Sequence, residues 1–160
     1  MNIFEFAMQM EKDGEDYYRQ LASAADNSGL KTILIMMADE EVKHYSYLDK
    51  MQTEQPQIEE VTILADCKNI FALMKDSSET VSSQVDQVGL YKKAQEVEKE
   101  NETFYREKAN EVEQDYQKEL FLLLAEEEKK HYFLLENIID FVSRSQEWLE
   151  NAEFSHLDDF

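Results

Sequence analysis

The 160-residue sequence predicts an all-α protein, a four-helix bundle built from two helical hairpins that are joined by a long crossover. Glycine occurs three times and proline once, which is too little turn punctuation for a protein made of sheets. Four long segments carry apolar residues at three- and four-residue spacing, the period of an amphipathic helix. The sequence also repeats itself, because residues 7–48 and 94–135 share 15 identities in 42 positions without a gap.

The first hairpin is predicted over about residues 3–54. Its first helix begins near Ile3 and stops at a cluster of turn-forming residues, 26–29. Its second helix runs from about Leu30 to Glu54 and ends before Pro56, since proline lacks the amide hydrogen that a helix interior requires.

A crossover of about residues 55–88 follows. It contains a predicted short helix from Cys67 to Lys75, with a polar stretch after it. Because the segment is far longer than a hairpin loop, the sequence favours two tight hairpins with one long connection over a bundle with three short loops.

The second hairpin is predicted over about residues 89–142. Its helices run from near Gly89 to about Val112 and, after a short turn, from near Asp115 to about Phe141 or beyond. The tail, 143–160, carries five large apolar residues, so we expect it to pack on its own bundle or on a neighbour. The whole chain, 1–160, is interpreted as a single domain, because this length is typical of one hydrophobic core.

Composition and charge exclude several classes of function. The formal net charge of −20 disfavours nucleic acid and anionic lipid as partners. The purest apolar run, 120–125, is far shorter than the roughly 20 residues of a membrane helix. The N-terminus lacks the pattern of a signal peptide, and the only cysteine, Cys67, has no partner for an intramolecular disulfide. We therefore expect a cytoplasmic protein.

Each repeat contains one isolated glutamate and one Glu-x-x-His motif. The first copy is Glu11 with Glu41-Val42-Lys43-His44, and the second, 87 residues later, is Glu98 with Glu128-Lys129-Lys130-His131. Residues three apart share one helix face, so each Glu-x-x-His pair can bind one ion. Glu11 and His44 are equidistant from the first predicted turn, and Glu98 and His131 from the second. The six side chains are therefore expected to meet at one level inside the bundle.

This set is the ligand set of di-iron and di-manganese carboxylate sites in four-helix bundles. Four carboxylates and two imidazoles form a hard, mostly oxygen shell that suits two iron ions, with manganese as the alternative. Four carboxylates also balance the charge of two divalent cations. Glu41 and Glu128 are predicted to bridge the metals, and Glu11 and Glu98 to be terminal ligands. The alternative is an acidic helix pair that was duplicated together with its surface charges.

At these motifs the chain resembles the rubrerythrin-type, ferritin-like di-iron proteins. The resemblance covers about residues 3–142 and rests on the segments ADEEVKHYSYL and AEEEKKHYFLL and on Glu11 and Glu98, each followed by a tyrosine seven residues on. It implies a ferritin-like bundle holding two irons that react with hydrogen peroxide or dioxygen.

The chain also departs from that family in two places. Full-length rubrerythrin carries a rubredoxin module with four cysteine ligands, whereas this sequence contains only Cys67. The expected electron donor is therefore a separate protein such as a rubredoxin. The family's additional glutamate ligand on the third bundle helix corresponds to Asn101 here. Any mechanism that uses that ligand is in question for this chain.

Three pairs of nearby residues have two interpretations each. Glu15 and Glu102 are either additional ligands or acids at the rim of the site. Tyr18 and Tyr105 are either core residues with a hydrogen-bonded hydroxyl or part of an electron relay. Glu40 and Glu127 either orient a histidine through its free ring nitrogen or are exposed to solvent.

The function predicted from these observations is a non-haem di-iron oxidoreductase that reduces hydrogen peroxide, or dioxygen, with electrons from another protein. One alternative is a ferroxidase or iron-handling protein for which Fe(II) is the substrate. Another is a non-catalytic helical adaptor that the metal stabilises. Ferritin-like bundles often pair, which leaves a homodimer open, and the long crossover would allow the hairpins to be swapped.

Overall fold

A computed structural model of the chain describes residues 1–76 and 87–143. Within these ranges the protein consists of five α-helices and contains no β-strand, which confirms the all-α fold class. The helices are α1 (Ile3–Ala24), α2 (Ser28–Lys50), α3 (Ile63–Asp76), α4 (Val88–Lys108) and α5 (Asp115–Ser143).

Asparagine side chains cap both helices of the first hairpin. The Asn2 carboxamide oxygen accepts a hydrogen bond from the amide of Glu5 at 2.8 Å, and Asn27 accepts one from the amide of Leu30 at 3.0 Å. A cap of this kind satisfies a backbone donor that has no partner inside the helix. Only three residues separate α1 from α2, so the two helices are tightly antiparallel.

The bundle is formed by two hairpins, α1 with α2 and α4 with α5, each packed closely along its length. Their turns lie at opposite ends of the molecule. Ala25, at the first turn, belongs to one buried apolar cluster, whereas Ala109 and Val112, at the second turn, belong to the other. The chain must therefore travel the length of the bundle between Met51 and Val88, which explains the long crossover.

Several helix ends differ from the sequence prediction. Helix α2 ends at Lys50 and a turn occupies 51–54, while α4 ends at Lys108 and not at Val112. The crossover helix begins at Ile63, four residues before the predicted start at Cys67. Its first turn includes a side-chain hydrogen bond, 2.9 Å long, from the Thr62 hydroxyl to the Asp66 carboxylate.

Helix α3 fastens the crossover to the first hairpin. It packs against α2 and α5 and buries Cys67, which behaves as a small apolar residue. A Cβ atom on Gly29, at the start of α2, would lie only 2.4 Å from Cγ of Met74. The glycine therefore allows the crossover helix to lie directly against the α1–α2 turn.

The predicted polar stretch of the crossover and the apolar tail fall largely on residues 77–86 and 144–160, which lie outside the described residues. Among the helices in the described part of the chain, none combines the length and apolarity needed to cross a bilayer.

The bundle interior has two apolar clusters separated by a polar layer. The larger cluster contains the second half of α1, the first half of α2 and the end of α5. The smaller one contains the end of α2, the end of α4 and the start of α5. Between them lie buried glutamates and histidines from all four bundle helices, and this layer is the candidate functional site.

A candidate metal centre in the bundle interior

All six predicted ligands lie in this buried layer. Their exposed fractions do not exceed 4%, although four of the six are acids. Ionised carboxylates are seldom fully buried unless they are paired or bind a metal. The layer consists of Glu11, Glu41, His44, Glu98, Glu128 and His131.

The six side chains form two overlapping groups, each with ligand atoms that lie within 4.8 Å of one another. The first group is Glu11, Glu41, His44 and Glu128, and the second is Glu41, Glu98, Glu128 and His131. Glu41 and Glu128 belong to both groups. Two cations placed in the two groups would therefore share these two carboxylates, which is the arrangement that the bridging assignment requires.

Both histidines direct Nδ1 towards the carboxylates. His44 Nδ1 lies 3.4 Å from Glu11 Oε2 and 3.9 Å from Glu128 Oε1. His131 Nδ1 lies 3.0 Å from Glu41 Oε1 and 3.4 Å from Glu98 Oε1. The imidazole rings are 6.1 Å apart and close to parallel. The ring nitrogens and carboxylate oxygens thus face a common interior point.

Many polar atoms of this layer form no hydrogen bond within the described part of the chain. A buried polar atom without a partner is costly, and proteins usually satisfy such atoms. These atoms belong to the same six side chains and are lone-pair donors of the kind that bind iron or manganese. They are Glu11 Oε2, Glu41 Oε1, His44 Nδ1, Glu98 Oε2, both carboxylate oxygens of Glu128, and His131 Nδ1.

The four carboxyl groups differ in their affinity for protons. Burial and the nearby Glu11 carboxylate raise the pKa of Glu41 well above its ordinary value, and burial with Glu98 and Glu11 does the same for Glu128. Burial also opposes ionisation of Glu11, but His44 and hydrogen bonds outweigh it and lower the pKa of Glu11 to about 2. The protein alone therefore favours protons on the two shared carboxyl groups.

The surroundings of the two histidines favour the protonated form of their imidazole rings. Burial lowers the pKa of His44, yet Glu11 outweighs this effect and raises it. Burial likewise opposes protonation of His131, but Glu98 and the close carboxylates of Glu40 and Glu41 raise its pKa well above the ordinary value. Protons thus supply part of the positive charge that the four carboxylates need, and metal cations can replace those protons.

Each tyrosine singled out from the sequence binds the glutamate of the opposite hairpin. Tyr18 in α1 donates a hydrogen bond to Glu98 in α4, and Tyr105 in α4 donates one to Glu11 in α1. Burial, together with these carboxylates, raises the pKa of both phenols well above the ordinary value. Both tyrosines therefore remain donors, which agrees with the interpretation of a core residue with a hydrogen-bonded hydroxyl.

Glu15 and Glu102 lie outside both groups of candidate ligands. Glu15 forms an ion pair with Arg19 at 2.8 Å, and Glu102 forms one with Arg106 at 2.9 Å. Each arginine also forms an ion pair with an acid on the other helix of its own hairpin. The arrangement places Glu15 and Glu102 at the rim, as one of the two sequence interpretations proposed.

Glu40 and Glu127 are not solvent-exposed acids. Glu40 is largely buried, and its Oε1 lies 3.4 Å from His131 Nε2, the ring nitrogen that faces away from the centre. Glu127 is 3% exposed and lies 3.3 Å from the Lys130 ammonium group. The orienting role thus agrees with the geometry of Glu40, whereas the observed contact of Glu127 is with a lysine.

The sequence interpretation missed Gly14. A Cβ atom at this position would lie 2.9 Å from Oε2 and 3.2 Å from Cδ of Glu41. A side chain at position 14 would therefore displace the shared carboxylate from its observed position. The available signal was a glycine in the middle of a strong helical pattern, which usually has a packing or functional reason.

A family model described as Rubrerythrin matches residues 2–139. The chain belongs to the rubrerythrin family. No curated protein and no solved structure matches it. Family membership and the buried cluster together indicate a metal-binding centre in this rubrerythrin-family protein, within a ferritin-like helical bundle.

Proposed function

We propose that this protein is a di-iron oxidoreductase that reduces hydrogen peroxide with electrons from a separate donor protein. Glu41 and Glu128, which belong to both groups, would hold both iron ions. Glu11 and His44 would complete one position, and Glu98 and His131 would complete the other. The observation that carries the proposal is the overlap of two four-residue groups in these same two carboxylates.

The chemistry of the donor set supports iron as a resident cofactor. Four carboxylates balance two divalent ions, so that the loaded interior is close to neutral. Two ferrous ions would supply the two electrons that convert one peroxide and two protons into two water molecules. The near-complete burial of all six side chains favours retention of the metal over release of iron as a product.

The surrounding residues fix this geometry and exclude water. Tyr18 and Tyr105 hold the terminal glutamates through hydrogen bonds between the hairpins. Apolar clusters above and below the polar layer limit access of bulk solvent. Side chains fixed in this way need little rearrangement when charge changes at the centre.

Rapid mixing of the anaerobically iron-loaded protein with peroxide and, separately, with dioxygen tests the proposal. We expect oxidation by peroxide to be the faster reaction, with two irons retained per chain. Faster oxidation by dioxygen with release of iron would identify Fe(II) as the substrate. Absence of reaction with either oxidant would leave a structural role for the metal.

A further inference from the structure

One cavity leads from the protein surface to the polar layer. It has a volume of about 230 Å³ and lies between α1 and α4. Its lining includes Glu41 and Glu98, which are candidate ligands, and the more exposed Val97 and Asn101. The cavity therefore connects the surface with the candidate ligand group that contains His131.

Gly14 lines this cavity beside the shared carboxylate of Glu41. Any larger side chain would fill the space at the point where the cavity meets the ligand layer. Glycine is unfavourable in a helix interior, so its presence in the middle of α1 needs a compensating reason. Open space next to Glu41 is such a reason.

The cavity lies mainly in one of the two halves that the internal repeat relates, because most residues that line it have repeat counterparts that do not. Tyr17 and Lys93, which line it, correspond in the repeat to Phe104 and Phe6. In that second half the rings of Phe6 and Phe104 pack together, with centroids 5.3 Å apart. The repeat thus places a covering aromatic pair over one half and leaves the other half open.

The charges at the opening suit a neutral molecule. Asp13 and Lys93, of opposite sign, both line the cavity and are both exposed, so they create little net field across it. The walls include the apolar side chains of Met10 and Val97 and the half-buried ring of Tyr17.

We propose that this cavity is the access route by which a small neutral oxidant, hydrogen peroxide, reaches the metal position formed by Glu98 and His131. Gly14 keeps its inner end open, and Val97 sets the width of its mouth. The inference rests on the proposed function, because it assigns the path taken by that function's substrate.

To test the proposal, a larger side chain is introduced at the mouth of the cavity. The resulting variant is compared with one that carries the same substitution at a similarly exposed position outside the cavity. Val97 is 42% exposed and adjoins Glu98, while Val42 is 45% exposed and adjoins Glu41 but does not line the cavity. Val97→Trp and Val42→Trp are loaded with Fe(II). Metal stoichiometry, the rate of nitric oxide binding and the rate of oxidation by peroxide are then measured.

We expect Val97→Trp to bind two metals but to take up nitric oxide and react with peroxide about tenfold more slowly, because the side chain must move before a molecule enters. Val42→Trp should retain the rates of the unmodified protein. Unchanged rates in Val97→Trp, or equal slowing in both variants, would overturn the proposal.

A tryptophan that prevented metal loading would be replaced by Val97→Cys and Val42→Cys. These proteins are loaded first and then modified with thiol reagents of increasing size. Slowing that grows with reagent size at position 97 alone supports the route, and slowing at neither position or at both contradicts it. Nitric oxide binding reports on the route even if peroxide fails to oxidise the unmodified protein, a result that would refute only the proposed function.

Discussion

The phenol of Tyr105 donates a 2.5 Å hydrogen bond to Oε1 of Glu11, although the two residues belong to different hairpins. Tyr18 and Glu98 form the reciprocal contact. Each hairpin therefore positions the terminal glutamate of the other. These two bonds connect the hairpins at the level of the candidate metal centre.

Removing the hydroxyl of Tyr105 tests this connection. Tyr105→Phe should lower the free energy of unfolding of the metal-free protein by about 1–3 kcal/mol, because a buried carboxylate oxygen loses its donor. Chemical denaturation measures the change. Tyr45→Phe is the control, since Tyr45 is 41% exposed and should tolerate the substitution. Equal stability of the two variants would show that the Tyr105 bond contributes little.

The shared position of Glu41 predicts an all-or-none effect on metal content. Glu41→Ala should lose both metals, because this carboxylate belongs to both groups. Glu15→Ala should retain two, since Glu15 pairs with Arg19 outside the groups. Metal analysis after anaerobic loading and desalting measures the content. Two metals in Glu41→Ala would refute the bridging assignment.

The metal-free protein should lose stability as pH rises. Glu41, Glu128, His44 and His131 have folded-state pKa values above their ordinary values of 4.5 and 6.5. A group of this kind contributes stability that is complete below its unfolded pKa and is lost as pH rises through the folded pKa. Glu11, Glu40 and Glu98 have lowered pKa values and act in the opposite direction, but their effect lies mainly below the ordinary carboxyl pKa of 4.5.

Thermal melts between about pH 5 and pH 8 measure this dependence. Glu41→Gln with Glu128→Gln should flatten it, whereas Glu96→Gln with Glu100→Gln, at exposed positions of α4, should not. Stabilisation by Fe(II) or Mn(II) should instead increase with pH, since the metals replace protons. A melting temperature of the metal-free protein that rises from about pH 5 to pH 8 would contradict this prediction. A melting temperature that does not change when metal is added would also contradict it.

Glu40 should act as a positioning residue for His131. Its carboxylate contacts Nε2 and leaves Nδ1 facing the centre. Glu40→Ala should weaken metal binding by about 10–100-fold, the usual cost of losing such a partner. Competition with a chelator measures the affinity. Glu60→Ala is the control and should bind metal normally, because Glu60 is an exposed acid that lines a separate surface pocket together with Glu40.

Gly14→Ala should have opposite effects with and without metal. In the metal-free protein the flexible Glu41 side chain can shift, so the helix gains about 1 kcal/mol from replacing glycine. In the loaded protein a bridging Glu41 cannot move, and the new Cβ would lie 2.9 Å from its Oε2. The variant should therefore melt higher than the unmodified protein without metal and gain less on loading. Equal gains on loading would contradict this account.

The position of the candidate site could be predicted from the sequence because it follows from the geometry of a helical hairpin and from the internal repeat. Residues equidistant from a turn lie at the same level in an antiparallel pair, so Glu11 and His44 had to meet. The repeat then placed Glu98 and His131 at that level in the other hairpin. The structure brings all six side chains together as these two rules require.

Features that depend on contacts between distant segments were not predictable in this way. The hydrogen bond between Tyr105 and Glu11 joins residues 94 positions apart and depends on how the hairpins dock. The close approach of position 14 to the shared carboxylate depends on the side-chain direction of Glu41. The early start of α3 at Ile63 is different, because the buried apolar residues of this helix already repeat at helical spacing from that position.

Neither hairpin contains a complete set of ligands. Each group of four takes three residues from one hairpin and a single carboxylate from the other. A half-length ancestor could therefore have built this centre only by pairing with an identical copy of itself, and every substitution would then have appeared on both sides. Because both halves belong to one polypeptide here, they can differ, and position 14 is glycine while its counterpart in the repeat is asparagine.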